Sequence, residues 1–120
     1  KLNPAHGRQF YFYTGKAKGQ IVGYAGADSV AGKWGSINYM LSISPKGEIL
    51  DVMVIEYREQ RGRPVANRRF LKQFFGKTSK NDIKLMKDIR GISGASISSR
   101  GMTDGLRKMI HVFNLFYGIS

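Results

Sequence analysis

The sequence predicts an α+β fold in a single domain. Three observations carry this reading. Period-two alternation of apolar and polar residues is confined to the first half of the chain. Apolar residues three and four apart are confined to the second half. Strand-like and helix-like segments do not alternate, so no βαβ unit is formed. The 120 residues suit one domain, and a chain of this size buries roughly two-thirds of its extended surface in one core.

Residues 9–13 (QFYFY) predict a first strand, closed by a turn at Thr14-Gly15, and residues 20–24 (QIVGY) a second, broken by Gly23 and Gly26. An N-terminal strand or extension over residues 1–19 thus precedes the domain proper at 20–120. Ile37, Tyr39, Leu41 and Ile43 then share one face, with Asn38, Ser42 and Ser44 on the other, which is the pattern of a half-buried strand. Pro45-Lys46-Gly47 turns the chain into an antiparallel partner over 49–57, where Leu50, Val52 and Val54 alternate with Asp51, Met53 and Ile55. Residues 58–64 read as a charged loop. Asn67 is the expected N-cap of a helix over 68–75 that turns Phe70, Leu71, Phe74 and Phe75 inward and ends at Gly76. A short helical turn is expected at 82–86. The longest element carries Met102, Leu106, Met109, Ile110, Phe113 and Phe116 as one apolar stripe.

Composition narrows the function. Twenty Lys and Arg against eight Asp and Glu give a net charge of +12. An anionic partner is therefore expected: nucleic acid, phospholipid headgroups or a phosphorylated small ligand. The chain has no Cys, which excludes disulfides, thiolate metal sites and Cys nucleophiles. His6 and His111 lie at opposite ends and make no zinc cluster. No apolar run approaches the ~20 residues of a membrane span. The start at Lys1 is that expected of a processed form or an excised segment.

The segment with chemical potential is Ile89 to Arg100, IRGISGASISSR, which runs into the last helix. A tight glycine turn presents successive backbone N–H groups as a concavity for phosphate oxygens. The helix start adds its own free N–H groups and the positive end of its dipole, worth about 0.3–2 kcal/mol. Gly94 and Ala95 allow close approach, Ser93, Ser96, Ser98 and Ser99 offer hydroxyls, and Arg90 and Arg100 flank the turn. The bland alternative is a Ser-rich segment that only starts a helix.

Ser93-Gly94-Ala95-Ser96-Ile97-Ser98-Ser99 resembles the S-G-A-T/S motif of FMN-binding domains. Such domains occur in the G subunit of Rnf complexes, the C subunit of sodium-translocating NADH:quinone oxidoreductases and regulators of the nitrous-oxide reductase type. The resemblance extends to Gly23-Tyr24-x-Gly26, to the hairpin with its Lys46-Gly47 turn, to Glu59-Gln60-Arg61-Gly62 as the E-x-x-G loop, and to Phe70-x-x-x-Phe74-x-Gly76-Lys77. These elements keep the family's order over roughly residues 20–113.

The resemblance implies FMN as cofactor, joined through its phosphate to the hydroxyl of Ser96 by a separate flavin transferase that uses FAD. It also implies redox partner proteins and an extracytoplasmic position beside a bacterial membrane. Tyr24, Tyr39 and Met40 would come near the site, and Glu59 and Gly62 would meet the polar edge of the flavin ring. For Tyr39 a place in the sheet core is the other reading, and Trp34 is open between covering a flavin and packing on the sheet.

Two positions depart from the family. Serine replaces the usual threonine at 96, with the same hydroxyl chemistry. Arg90 stands where the family usually has Asp, and could pair with the charges of a phosphate, while Asp88 lies two residues before it. The leading reading is an electron-transfer flavin module, a redox carrier domain more than a stand-alone enzyme, since no acid–base pair is visible. The rival is a basic module that binds nucleic acid or an anionic membrane without flavin. Against nucleic acid, the basic residues are spread along the chain and no recognised motif is present. A third reading is a sensor or assembly domain in which the FMN site is only structural. Arg58, Arg61, Arg63, Arg68 and Arg69 form a basic cluster, read either as a solvated face or as a docking patch for an acidic partner.

Overall fold

In the chain's first half, each strand folds back on the one before it. A computed structural model describes residues 12–32, 35–57 and 67–117. Four strands, β1 (Phe12–Ala17), β2 (Gln20–Ala31), β3 (Ser36–Ile43) and β4 (Ile49–Tyr57), pair in sequence order as an antiparallel sheet. The β3–β4 turn is the predicted one. Gly47 takes a φ of 88° and its N–H donates to the Ser44 carbonyl, while the Ser44 hydroxyl accepts from the Lys46 and Glu48 N–H groups. Two helices follow, α1 (Arg68–Leu71), continued by a 3₁₀ turn at Lys72–Phe74, and α2 (Ser96–Tyr117). Asn67 caps α1 as expected, accepting the Arg69 N–H at 2.7 Å.

One core joins sheet and helices. Ile37, Tyr39, Leu41 and Ile43 of β3 are buried with Met102, Leu106, Met109, Ile110 and Phe113 of α2 and with Phe70, Leu71 and Phe74. Burial of each such side chain contributes about 1.5–3 kcal/mol. At the heart of the contact Asp28 of β2, its side chain 3% exposed, accepts from Lys108 of α2 at 2.7 Å and from the Tyr39 hydroxyl at 3.1 Å.

Four local expectations are corrected. Thr14-Gly15 lies within β1, and the chain reverses at Lys18-Gly19, both with positive φ. The expected boundary at 19/20 falls on this turn, and Phe12 of β1 packs its ring 5.5 Å from that of Phe113. Secondly, β2 runs on through its glycines, with a bulge at Val22 beside Gly23, where Gly15 faces Gly23 but Lys16 faces Ile21. A Cβ at Gly26 would stand 2.8 Å from the Phe12 ring and 3.2 Å from Met109, so this glycine lets ring and helix lie close against the strand.

Thirdly, Leu50 does not share a face with Val52. Ile43 faces Ile49 but Ser42 faces Asp51, so Leu50 is the extra residue of a β-bulge. Ile49 and Val52 turn inward and Leu50 is exposed. Finally, residues 82–86 form no helical turn. Ile83 and Met86 have φ of 48° and 68°, values that a right-handed helix excludes.

The long helix is seated through small residues. A Cβ at Gly101 would lie 2.7 Å from the backbone oxygen of Ala31, and one at Gly105 would lie 2.5 Å from Val30 Cγ1 and 3.1 Å from the Tyr39 hydroxyl. Alanine has the better helix propensity by about 1 kcal/mol, yet a backbone oxygen cannot step aside as a side chain can. Gly101→Ala is therefore expected to destabilise the domain by about 1–3 kcal/mol, read as a lowered urea midpoint at unchanged slope.

Candidate functional site

The glycine turn forms as the sequence predicts. The Ala95 N–H donates to the Ile92 carbonyl at 2.9 Å, and Gly94 takes a φ of 81°, which a third turn position of this kind reserves for residues without a Cβ. Helix α2 starts one residue later, at Ser96. By helix geometry the Ser96 and Ile97 N–H groups have no intrahelical acceptor. Ala95 carries no capping oxygen, and the first turn contains no acidic residue. The positive end of a 22-residue helix thus faces outward at the turn.

The serines divide into two pairs. Ser93 and Ser96 are exposed, along with Gly94 and Ile97, whereas Ser98 and Ser99 are buried and Ala95 nearly so. The Ser99 hydroxyl donates to the Ala95 carbonyl at 2.8 Å and accepts the Ile92 N–H at 3.1 Å. It ties the two ends of the turn together. The expectation that all four hydroxyls face a ligand is corrected for Ser98 and Ser99, which the helix turns inward.

The strand of chain that leads into this turn, Arg90-Gly91-Ile92, forms one side of an open cleft of about 880 Å³. The other side comes from α1 and its 3₁₀ turn, through Asn67, Arg69, Phe70 and Gln73. Its volume is within the range of small-molecule and cofactor sites. Gln73 holds the two sides together: its Oε1 accepts the Arg90 N–H at 2.7 Å and its Nε2 donates to the Arg90 carbonyl at 2.8 Å. The backbone of Arg90 is thereby fixed while its side chain is exposed.

Asp88 is spoken for. Its carboxylate accepts the Ile83 N–H at 3.0 Å and the Lys84 N–H at 2.8 Å, and it pairs with Lys77 at 3.3 Å. Burial pushes its pKa up, but the two N–H donors and Lys77 outweigh burial and hold the carboxyl below its ordinary value. It is a loop brace and does not replace the carboxylate that Arg90 displaces. Asp82 is paired too, with Lys87 at 3.3 Å. Residues 67–92 contain eight Lys and Arg and only these two Asp. Of these eight, Arg69, Lys87 and Arg90 line the cleft, and the other basic residues of the chain stay spread as the sequence reading has them.

Other predicted residues lie elsewhere. Tyr24 packs on Phe113 and Tyr117, with ring centroids 4.9 and 4.7 Å away. At 1.5 Å per residue, Phe113 is roughly 25 Å along α2 from Ser96, so the structure does not bring Tyr24 to the turn. Tyr39 is a core residue, and Met40 is exposed between buried neighbours, on the opposite face of the sheet. Glu59 and Gly62, with Trp34, Arg58, Arg61 and Arg63, lie outside the described residues. Among the described residues no group of three His, Cys, Asp or Glu could hold a metal. Sequence reasoning missed Gln73, whose one signal is a polar residue between Leu71 and Phe74.

Two measurements check this geometry. Ser99→Ala leaves the Ile92 N–H without its acceptor and is expected to cost about 1–3 kcal/mol in urea unfolding. The lowered pKa of Asp88 makes its contribution complete above the unfolded carboxyl value of 3.8, and that contribution is lost as pH falls through the lower folded value. Asp88→Asn is therefore expected to be less stable than the parent at pH 7, with the gap closing as pH drops below about 4.

Comparison with known proteins adds three findings. The profile of a family described as FMN-binding domain matches residues 32–111, about two-thirds of the chain. Over 111 residues the chain is 29% identical to the G subunit of a Na(+)-translocating ferredoxin:NAD(+) oxidoreductase complex from Acetobacterium woodii, covering 84% of this chain and 54% of that protein. It is 25% identical to the G subunit of a proton-translocating ferredoxin:NAD(+) oxidoreductase complex from Clostridium ljungdahlii, covering 98% and 67%. The chain therefore spans between half and two-thirds of these relatives. In fold it is similar to the crystal structure of the C subunit of Na(+)-translocating NADH-quinone reductase from Parabacteroides distasonis, with a TM-score of 0.69 at 20% identity over 97% of this chain and 66% of that one.

Proposed function

The chain belongs to the FMN-binding domain family, and from that premise we propose that it is an electron-transfer module holding FMN by its phosphate at the SGAS turn. The observation that carries this reading is the meeting of two features. A glycine turn at the positive end of α2 continues directly from one side of a basic cleft. The residues present fit the group. Free N–H groups at Ser96 and Ile97 suit phosphate oxygens, and Gly94 and Ala95 keep side chains out of their way. Arg90 supplies a charge-assisted partner for the phosphate, which carries two charges in free FMN and one once it is esterified, and Phe70 and Ile92 offer apolar surface to a ring.

Bound FMN would supply one- and two-electron transfer; the chain holds it, orients it and limits its contact with water. Arg69 and Arg90, on the two sides of the cleft, favour negatively charged reduced forms and so raise the potential. The Ser96 hydroxyl, exposed at the first helical position, is the attachment point in this reading. Its Oγ bonds to the FMN phosphorus of FAD, its proton is lost and AMP leaves, a reaction that a separate flavin transferase must catalyse. By analogy with the named relatives, which are subunits of redox complexes, the chain works within a multi-subunit redox assembly, and the family resemblance read in the sequence puts it on the extracytoplasmic face of a bacterial membrane. No helix among the described residues is long and apolar enough to cross that membrane. Nucleic acid is the weaker alternative, because the basic residues are spread along the chain and three of them, Arg69, Lys87 and Arg90, line a cleft sized for a small ligand.

The test is intact mass and visible absorbance before and after denaturation, on protein produced with and without a flavin transferase. The expected result is a yellow adduct of one FMN less one water that survives denaturation and is absent in Ser96→Ala. Colour released on denaturation would show the turn and Arg90 acting as a reversible phosphate clamp. A colourless chain that also refuses added FMN would overturn the flavin reading.

A further inference from the structure

Met86 joins three features that the free chain does not account for. Its backbone is left-handed, with a φ of 68°, a region that residues other than Gly, Asn and Asp seldom occupy. Its side chain is apolar and yet 95% exposed. It also lines the cleft, beside Lys87.

The loop that carries Met86 is well tied. The Met86 N–H donates to the Ile89 carbonyl at 2.9 Å, Leu85 bridges to Ile89, and Asp88 holds the N–H groups of Ile83 and Lys84. The left-handed backbone is thus imposed by a braced turn, and the thioether is presented at a fixed place. Asn or Gly at this position would relieve the backbone and remove an apolar group from water. Backbone strain concentrated at a ligand cleft is a recurrent mark of function. A flexible, polarizable thioether also makes favourable contact with aromatic rings.

We propose that Met86 is the cover of the cleft, lying over the exposed face of the flavin ring and shielding it from water. The proposal rests on the flavin reading above and adds a positioning residue outside the SGAS turn and outside the motifs that mark the family. A ring under the thioether offsets both unfavourable features, because the side chain leaves water and the strained turn gains a contact.

The experiment compares wild type, Met86→Asn and Met86→Leu, each produced without a transferase and titrated with FMN. Iodide quenching of the bound-flavin fluorescence is a second readout, and it applies equally to protein loaded by a transferase. Met86→Asn is expected to weaken FMN binding about tenfold and to open the bound ring to iodide. Met86→Leu keeps an apolar cover and should retain both properties. Without flavin, Met86→Asn should melt at or above the wild-type temperature, since Asn tolerates the left-handed region. A lowered melting temperature, or unchanged affinity and iodide access in a wild type that does bind flavin, would overturn the cover while leaving the flavin reading intact. A wild-type chain that acquires no flavin, whether added free or by a transferase, would overturn both.

Discussion

The seating of α2 on the sheet governs where every other part of the site lies. The helix meets β2 through Gly101 and Gly105, close enough that a methyl group at Gly101 would collide with the Ala31 carbonyl. Such an approach gives dense dispersion contact along the interface, but it tolerates no slippage. The ion pair between Lys108 and the buried Asp28, with the Tyr39 hydroxyl on the same carboxylate oxygen, adds a directional lock. A buried pair of this kind contributes little net stability and a strong penalty for misplacement. Helix register is therefore set by contact and charge together, and the start of α2, with its glycine turn, is carried to one defined point.

Around that point the polar side chains divide their labour. Ser99, Gln73 and Asp88 spend their hydrogen-bonding capacity on backbone groups of residues 83–95. Because these segments are irregular, their N–H and C=O groups have no ladder to join and would otherwise be left without partners. Once the backbone is satisfied from below, the outward groups are available: the first N–H groups of α2, the Ser96 hydroxyl and the Arg90 side chain. These outward groups are thus held in fixed places by hydrogen bonds made beneath them.

The charge pattern follows the same plan. Both carboxylates in the cleft-forming segments are neutralised by lysines, so the remaining basic groups act on the cleft without local opposition. In a partly enclosed site such charges are weakly screened and act on a bound anion more strongly than on a surface one. A braced turn that forces Met86 into a left-handed conformation beside them places an apolar group where charge alone would leave the cleft open to water.

The element order, the β3–β4 hairpin, the Asn67 cap and the apolar stripe of α2 were legible in the sequence because each depends on local periodicity or on a short turn signal. The glycine turn at 92–95 was legible for the same reason, since only a few adjacent residues decide it. What was not legible depends on neighbours far along the chain. Gly23 and Gly26 read as strand breakers, yet Phe12 and Met109 make Gly26 a point of close approach. The bulge at Leu50 appears only when β3 and β4 are paired. Tyr24 followed a motif to the site in sequence but was carried to the far end of α2 by its packing on Phe113 and Tyr117. The cleft itself takes its two sides from residues 67–73 and 86–92, which Gln73 joins through the backbone of Arg90. Local chemistry is written in local sequence, whereas the shape of a cavity is a property of surfaces that meet only when the chain is folded.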